Sequence, residues 1–261
     1  MGRAIDGGYV MPGRAVVTCT HLVGMGISDD WSFEEDVLRR NPSIRLLAID
    51  GSVSATRFGI VAVKTLLDGL TQLVSGNVAG ARRALLESKW SAATAVNFYR
   101  FFSSNDRRFV KKMVSAEPSP NGITWRGALA RLSADSGQPR SILVKVDIEG
   151  GEYSVLPEIL GSAKEIVAII VEFHDCGKRW KDFETAIAQV TGMFTVVHVH
   201  GNNYMPLIPG TQVPEVLEIT FLRSDLLTAE DFLAAPFLQY PVAALDMPND
   251  ASKKDYPLTF E

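Results

Sequence analysis

Several things are scarce in this sequence, and each scarcity excludes something. Only two cysteines occur among 261 residues, Cys19 and Cys176. They lie far apart and lack metal-type spacing, so neither a disulfide framework nor a zinc module is expected, and a reducing, cytoplasmic compartment is the plain expectation. No run approaches the ~20 apolar residues that span a bilayer, and Met1 to Val10 lacks the apolar core of a secretory leader. Positive charge is not in excess: 26 Lys and Arg face 30 Asp and Glu, a formal net charge of −4. That balance disfavours non-specific nucleic-acid binding and leaves a small molecule or glycan as the expected partner. A complete Gly-x-Gly-x-x-Gly is also missing, which argues against a nicotinamide oxidoreductase. Internal repeats and low-complexity stretches are absent.

What remains is ordinary for a globular chain, 46% hydrophobic and 21% charged, and long enough for one large α/β domain. Apolar β-type runs alternate with helical segments. Strands are expected at 15–23, 44–50, 108–115, 142–147, 166–174, 194–200 and 216–223, and helices at 32–40, 125–134, 152–161 and 180–192. The runs at 142–147 and 166–174 are apolar throughout, as in central parallel strands buried on both faces. The last strand follows its predecessor without a helix, so it is expected to pair antiparallel. Residues 53–102 interrupt the alternation with two helical patterns, 57–74 and 78–101, and form an insert, a lid or packing element. The Pro-punctuated tail, 236–261, wraps the surface or frays. The pattern is an open, doubly wound, Rossmann-like sheet of about seven mostly parallel strands in a single domain, with ligands at the carboxyl ends of its strands.

Ionisable residues gather at those ends. The first strand runs into Gly24-Met-Gly26-Ile-Ser28-Asp-Asp, where glycines let a ligand approach the backbone. Asp50 ends the second strand, placed to take both hydroxyls of a ribose, with Gly51 and Ser52 beside it. Acidic Asp29 and Asp30 would repel a pyrophosphate and suit a cationic nucleoside such as S-adenosylmethionine. A plain tight turn is the competing explanation. In Lys145-Val-Asp147-Ile-Glu149, strand alternation puts three charges on one side. Such charges are costly unless they sit at a mouth and bind something; a solvated turn is the alternative. Glu172-Phe-His174 ends the next strand, where a carboxylate beside an imidazole makes a general base or half a metal site, or merely a cap. His198-Val-His200-Gly-Asn202-Asn203 adds two alternate histidines and two amides. Three adjacent strands thus end in ionisable groups around one crevice.

At these residues the chain resembles the FkbM-type S-adenosylmethionine-dependent methyltransferases. The resemblance rests on Asp6-Gly-Gly-Tyr-Val-Met-Pro, Gly24-Met-Gly-Ile-Ser-Asp-Asp-Trp-Ser-Phe-Glu, Lys145-Val-Asp-Ile-Glu-Gly-Gly-Glu, Val171-Glu-Phe-His, His198-Val-His-Gly-Asn-Asn and Pro214-Glu-Val-Leu-Glu-Ile-Thr-Phe. It implies a class I methyltransferase fold, seven strands with the last-added one antiparallel, and O-methylation of sugar or natural-product hydroxyls. Gly24, Gly26 and Asp50 would then hold the cofactor, and Asp147 and Glu149 would line the crevice. The chain departs from the family in its longer, more helical segment 53–102 and in its reduced glycine turn.

A sugar hydroxyl is a poor nucleophile, so a base or metal must assist. His174 is the first candidate base, oriented by Glu172, and His200 the second. Asp147, Glu172 and His174 are the candidate ligands for magnesium or another divalent cation, and Glu149, Asn202 and Asn203 the candidate substrate contacts. Two other classes compete: a metal-dependent hydrolase built on Asp147, Glu172, His174, His198 and His200, and a non-catalytic scaffold in which the insert 53–102 mediates dimerisation.

Overall fold

The computed structural model describes residues 1–3, 8–133, 141–229 and 240–259. Asp6 and Gly7 of the N-terminal motif, the turn expected at 135–139 and tail residues 236–239, 260 and 261 lie outside them. In chain order the elements are α1 (Gly13–Thr18), β1 (His21–Met25), α2 (Ser32–Arg40), β2 (Arg45–Ile49), α3 (Ala55–Val74), α4 (Val78–Phe102), β3 (Arg107–Val110), β4 (Met113–Val114), β5 (Gly122–Ile123), α5 (Trp125–Ser133), β6 (Ile142–Val146), α6 (Glu152–Leu160), β7 (Ile166–Phe173), α7 (Trp180–Thr191), β8 (Phe194–Gly201) and β9 (Leu217–Arg223).

Seven strands form one sheet in the order β3-β2-β1-β6-β7-β9-β8. Neighbours are parallel except at β9, which runs antiparallel to β7 and β8 and is inserted between them. This is the doubly wound, Rossmann-like sheet with a late antiparallel strand that the pattern foretold. Its strands are near-continuously apolar because both faces are covered. Val23, Met25, Ile49, Val144 and Val146 pack against α5, α6 and α7. Leu22, Leu46, Ala48 and Leu143 pack against α1, α2 and the base of α4.

Two expectations need correction. The run at 15–23 is not one strand: Gly13–Thr18 is helical, and the strand begins only at His21. Val-Val-Thr favours a strand locally, but Ala15 and Val16 are buried in the layer that covers the sheet, and tertiary packing overrides so weak a propensity. The run at 108–115 is also divided. Pairing with β2 ends at Val110, and Met113–Val114 joins a separate two-stranded sheet with Gly122–Ile123.

The insert is a helical hairpin turned at Gly76, whose φ is +82°. Ser54 caps α3 by accepting from Arg57 N, and Asn77 caps α4 by accepting from Gly80 N. Its root is anchored by an aromatic cluster: Phe98 lies 5.5 Å from Trp31 and 4.9 Å from Phe109, centroid to centroid. Phe98 and Phe101 are core residues rather than an exposed surface.

Candidate active site

The strand ends build the site in two adjoining halves. In the first, the backbone of Gly26 turns away from β1 with φ +74°, a left-handed conformation, and a side chain there would overlap the carbonyl oxygen of Asp147. Glycine is therefore required both by the backbone and by the close approach. Asp147 N donates to Met25 O (3.0 Å) and Gly26 N to Ile49 O (2.9 Å), locking the three strand ends together. Asp50 is buried at the end of β2. Its Oδ2 accepts from Ser28 N (2.9 Å) and its Oδ1 from Ser52 N and Oγ (2.6 Å each). A carboxylate offers about four lone-pair directions, so these bonds orient it and leave acceptor capacity. Gly26, Ser28, Asp50, Gly51, Ser52 and Asp147 surround a cavity of about 180 Å³, with Met113 from β4 as an unforeseen wall. Gly24 does not reach this cavity. A side chain there would meet the Glu34 carboxylate, so the close approach it permits is to the protein itself.

The second half is a cleft of about 470 Å³ that shares Gly26, Ser28, Asp147 and Glu149 with the first and adds Tyr9, Lys145, Glu172, His174 and Asn202. Buried Lys145 donates to Gly26 O (3.1 Å) and lies 3.5 Å from Asp147 Oδ2. Burial alone would lower its pKa, but Asp147, Glu34 and Glu172 raise it on balance, so it is a cation. Lys145 and Asp147 share a side, as alternation requires. Glu149 does not follow the rule, because β6 has already ended and its φ is +54°. Its side chain is 87% exposed, yet Oε2 comes within 3.5 Å of His174 Nε2.

His174 Nε2 is 4.0 Å from Glu172 Oε1, but the group that orients the ring is Glu152, whose Oε1 accepts from Nδ1 at 2.9 Å. Glu152 opens α6, is fully buried, and also accepts from Ile148 N and Gly150 N. Burial pulls the imidazole pKa down, but the Glu152 bond and the charges of Glu152, Glu172 and Asp147 outweigh it and hold the pKa at about 9. Glu172 is fixed by Asn202 Nδ2 (3.0 Å) and the Tyr9 hydroxyl (3.0 Å), which also lies 3.1 Å from Asp147 Oδ2. One hydroxyl hydrogen serves one carboxylate, so the second contact calls for a proton on an acid. Burial, then repulsion by Asp147 and Glu218, pushes Glu172 well above the usual carboxylate range, which supplies it. Tyr9 belongs to the Gly-Gly-Tyr-Val-Met-Pro motif and Glu152 closes Asp-Ile-Glu-Gly-Gly-Glu. Both were visible as motif members, but neither had an expected role.

The remaining candidates lie elsewhere. His198 Nε2 is 2.7 Å from Asp246 Oδ1, and His200 is held by Glu218 (3.1 Å) and Asp255 (2.9 Å). Burial opposes the charge on His200, but these two carboxylates raise its pKa to about 9. Asn203 is fully buried, donates to Asp250 O and accepts from Asp250 N. His198, His200 and Asn203 thus clamp the tail rather than line the cleft, and the five residues of the hydrolase reading do not converge. Among the described residues, one set of three potential metal ligands lies within 4.8 Å: Asp147, Glu149 and His174. Glu149 takes the place expected for Glu172, whose oxygens are occupied.

No family model matches the sequence, and no curated protein matches it. Solved structures do. An O-methyltransferase family protein from Burkholderia thailandensis is 10% identical over 80% of this chain and 52% of its own, with a TM-score of 0.34. The 23S rRNA methyltransferase ErmE is 10% identical over 84% and 70%, TM-score 0.37. The O-methyltransferase TomG from Streptomyces achromogenes, solved with SAM, is 9% identical over 82% of both chains, TM-score 0.37. The chain spans about half the length of the Burkholderia protein. No described helix is long and apolar enough to cross a membrane.

Proposed function

We propose that this chain is an S-adenosylmethionine-dependent methyltransferase acting on a hydroxyl of a sugar, glycan or natural product, with the features of the FkbM type. The observation that carries the reading is the pair of adjoining cavities, which meet at Gly26, Ser28, Asp147 and Glu149. The first suits an adenosyl group: a buried carboxylate, Asp50, faces it at the end of the second strand, and no phosphate-binding glycine loop is present. The acids at its mouth attract a cationic ligand and repel a pyrophosphate. When bound, S-adenosylmethionine supplies an electrophilic methyl carbon. Asp50 would orient the ribose, Gly26 holds the strand ends that wall the cavity close together, and Asp147 with Glu149 would favour the ligand's positive charge. The larger cleft receives the acceptor, and its main task is alignment.

The acceptor hydroxyl must lose a proton, and His174 Nε2 faces the cleft to take it. At neutral pH His174 is protonated, so it must first pass a proton on. Glu172 already holds a proton, so the neighbour suited to receive it is Glu149 Oε2, 3.5 Å from Nε2 and exposed to water. Release of that proton from Glu149 to water leaves Nε2 free to take the one from the acceptor hydroxyl. A second reading places a divalent cation on Asp147, Glu149 and His174, favoured by the mutual approach of their ligand atoms. The readings exclude one another, since a ligating imidazole is no base.

Thermal shift with S-adenosylhomocysteine, S-adenosylmethionine, NAD and divalent metals tests the proposal. Stabilisation by the adenosyl compounds and not by NAD is expected, and no response to either adenosyl compound sinks it. Turnover that survives EDTA but falls at least tenfold in both His174→Ala and Glu149→Gln supports His174 as the base with Glu149 as its proton outlet.

A further inference from the structure

The insert carries an anomaly that the active site does not explain. α3 buries only a narrow stripe, Phe58, Ala62 and Gly69, and that stripe faces the sheet and α4. Its opposite face is aliphatic. Ile60, Val63, Leu67, Leu70 and Val74 are 51, 58, 57, 49 and 91% exposed. They recur at alternating steps of three and four, the a and d positions of two heptads, which is the spacing of a seam meant for another helix. Leu66 and Leu73, 42 and 53% exposed, widen the stripe on its g side. These seven side chains present on the order of 700 Å², near the ~800 Å² per partner of a standard interface and more than a monomer ordinarily leaves in one patch.

We propose that α3 pairs antiparallel with the α3 of a second copy of this chain, so that two hairpins form a four-helix bundle. The seam is self-complementary. A two-fold axis between Leu67 and Leu70 sets Leu67 against the partner's Leu70 and Val63 against the partner's Val74, and brings Leu66 beside the partner's Leu73. The contact is isologous and closes on itself. A second copy fits better than a lipid surface, because a membrane-lying helix borders its apolar face with Lys and Arg, whereas α3 carries only Arg57, Lys64 and Asp68. The substituted positions below are solvent-facing, so the fold does not depend on them.

Sedimentation at about 50 μM protein should give twice the monomer mass of 28.5 kDa. Leu67→Glu with Leu70→Glu should return the monomer, with unchanged circular dichroism. The axis is tested by oxidative cross-linking, for which the native Cys19 and Cys176 are buried and silent. A chain with both Val63→Cys and Val74→Cys should cross-link into a covalent dimer. Val74→Cys alone should not, since the two copies of that residue would lie ~16 Å apart along the bundle. A wild-type monomer, a dimer that survives the double Glu variant, or cross-linking through Val74→Cys alone each overturns the proposal. So does a wild-type monomer that binds phosphatidylserine vesicles, which would assign the face to lipid.

Discussion

His200 offers a direct test of the electrostatics. Its ring is almost fully buried, with Glu218 on one nitrogen and Asp255 on the other. Desolvation opposes the charge, but the two carboxylates win and lift the pKa from 6.5 to about 9. A group whose folded pKa lies above its unfolded one stabilises the fold fully below the unfolded value. That contribution disappears as pH rises through the folded value. The shift corresponds to about 3 kcal/mol, present near pH 6 and gone above about pH 9. His174, also held at about 9, adds a loss in the same window, so wild type alone cannot separate them. His200→Gln can. Urea unfolding at intervals from pH 6.5 to 9 should show a wild-type decline that is shallower in the variant by about 3 kcal/mol over the range. Above that window the buried thiols of Cys19 and Cys176, pushed by desolvation to about 12, bring losses of their own. Parallel declines in wild type and His200→Gln would refute the account of the clamp.

Three further outcomes follow from the site. Gly26→Ala drives a methyl group into the Asp147 carbonyl at a left-handed φ, so it should destabilise by more than about 2 kcal/mol and abolish the thermal shift with S-adenosylhomocysteine. Glu152→Gln removes the first charge that sustains the imidazolium, so the His174 pKa read by NMR should fall from about 9 towards the ordinary histidine value. Glu149→Gly relieves a left-handed non-glycine residue and should raise stability by up to ~1 kcal/mol while lowering turnover, a trade between strain and activity.

Much of the architecture was legible because each element carried its own period. The helices at 32–40, 125–133, 152–160 and 180–191 and the insert's two helices fall within about two residues of expectation. Each has a punctuating cap, such as Asn41, whose N–H bonds Val37 O. The failures are at places where distant packing decides. Ala15 and Val16 look like strand residues until the sheet they cover is present. Glu149 was assigned to a side by an alternation that stops at Val146. The positions of the ionisable groups were readable, since a charge at the end of an apolar run announces itself. Their partners were not: Tyr9 meets Asp147 and Glu172 across 138 and 163 residues, and Glu152 meets His174 across 22. Nothing local encodes such pairings. His198 and His200, chemically the most conspicuous pair, turned out to be tied to carboxylates of β9 and the tail.

The insertion of β9 between β7 and β8 has a consequence for how the molecule comes into being. β8 has no neighbour in the sheet except β9, so it cannot dock until residues 217–223 exist and slot in from the far side. Asn202, just beyond β8, reaches Glu172 only after that step. A nascent chain that already holds the smaller cavity, walled by the ends of β1, β2 and β6, would therefore still lack the amide that fixes Glu172 in the adjoining cleft. The order of synthesis thus finishes the smaller cavity before the larger cleft, and the second is completed by the final strand of the sheet.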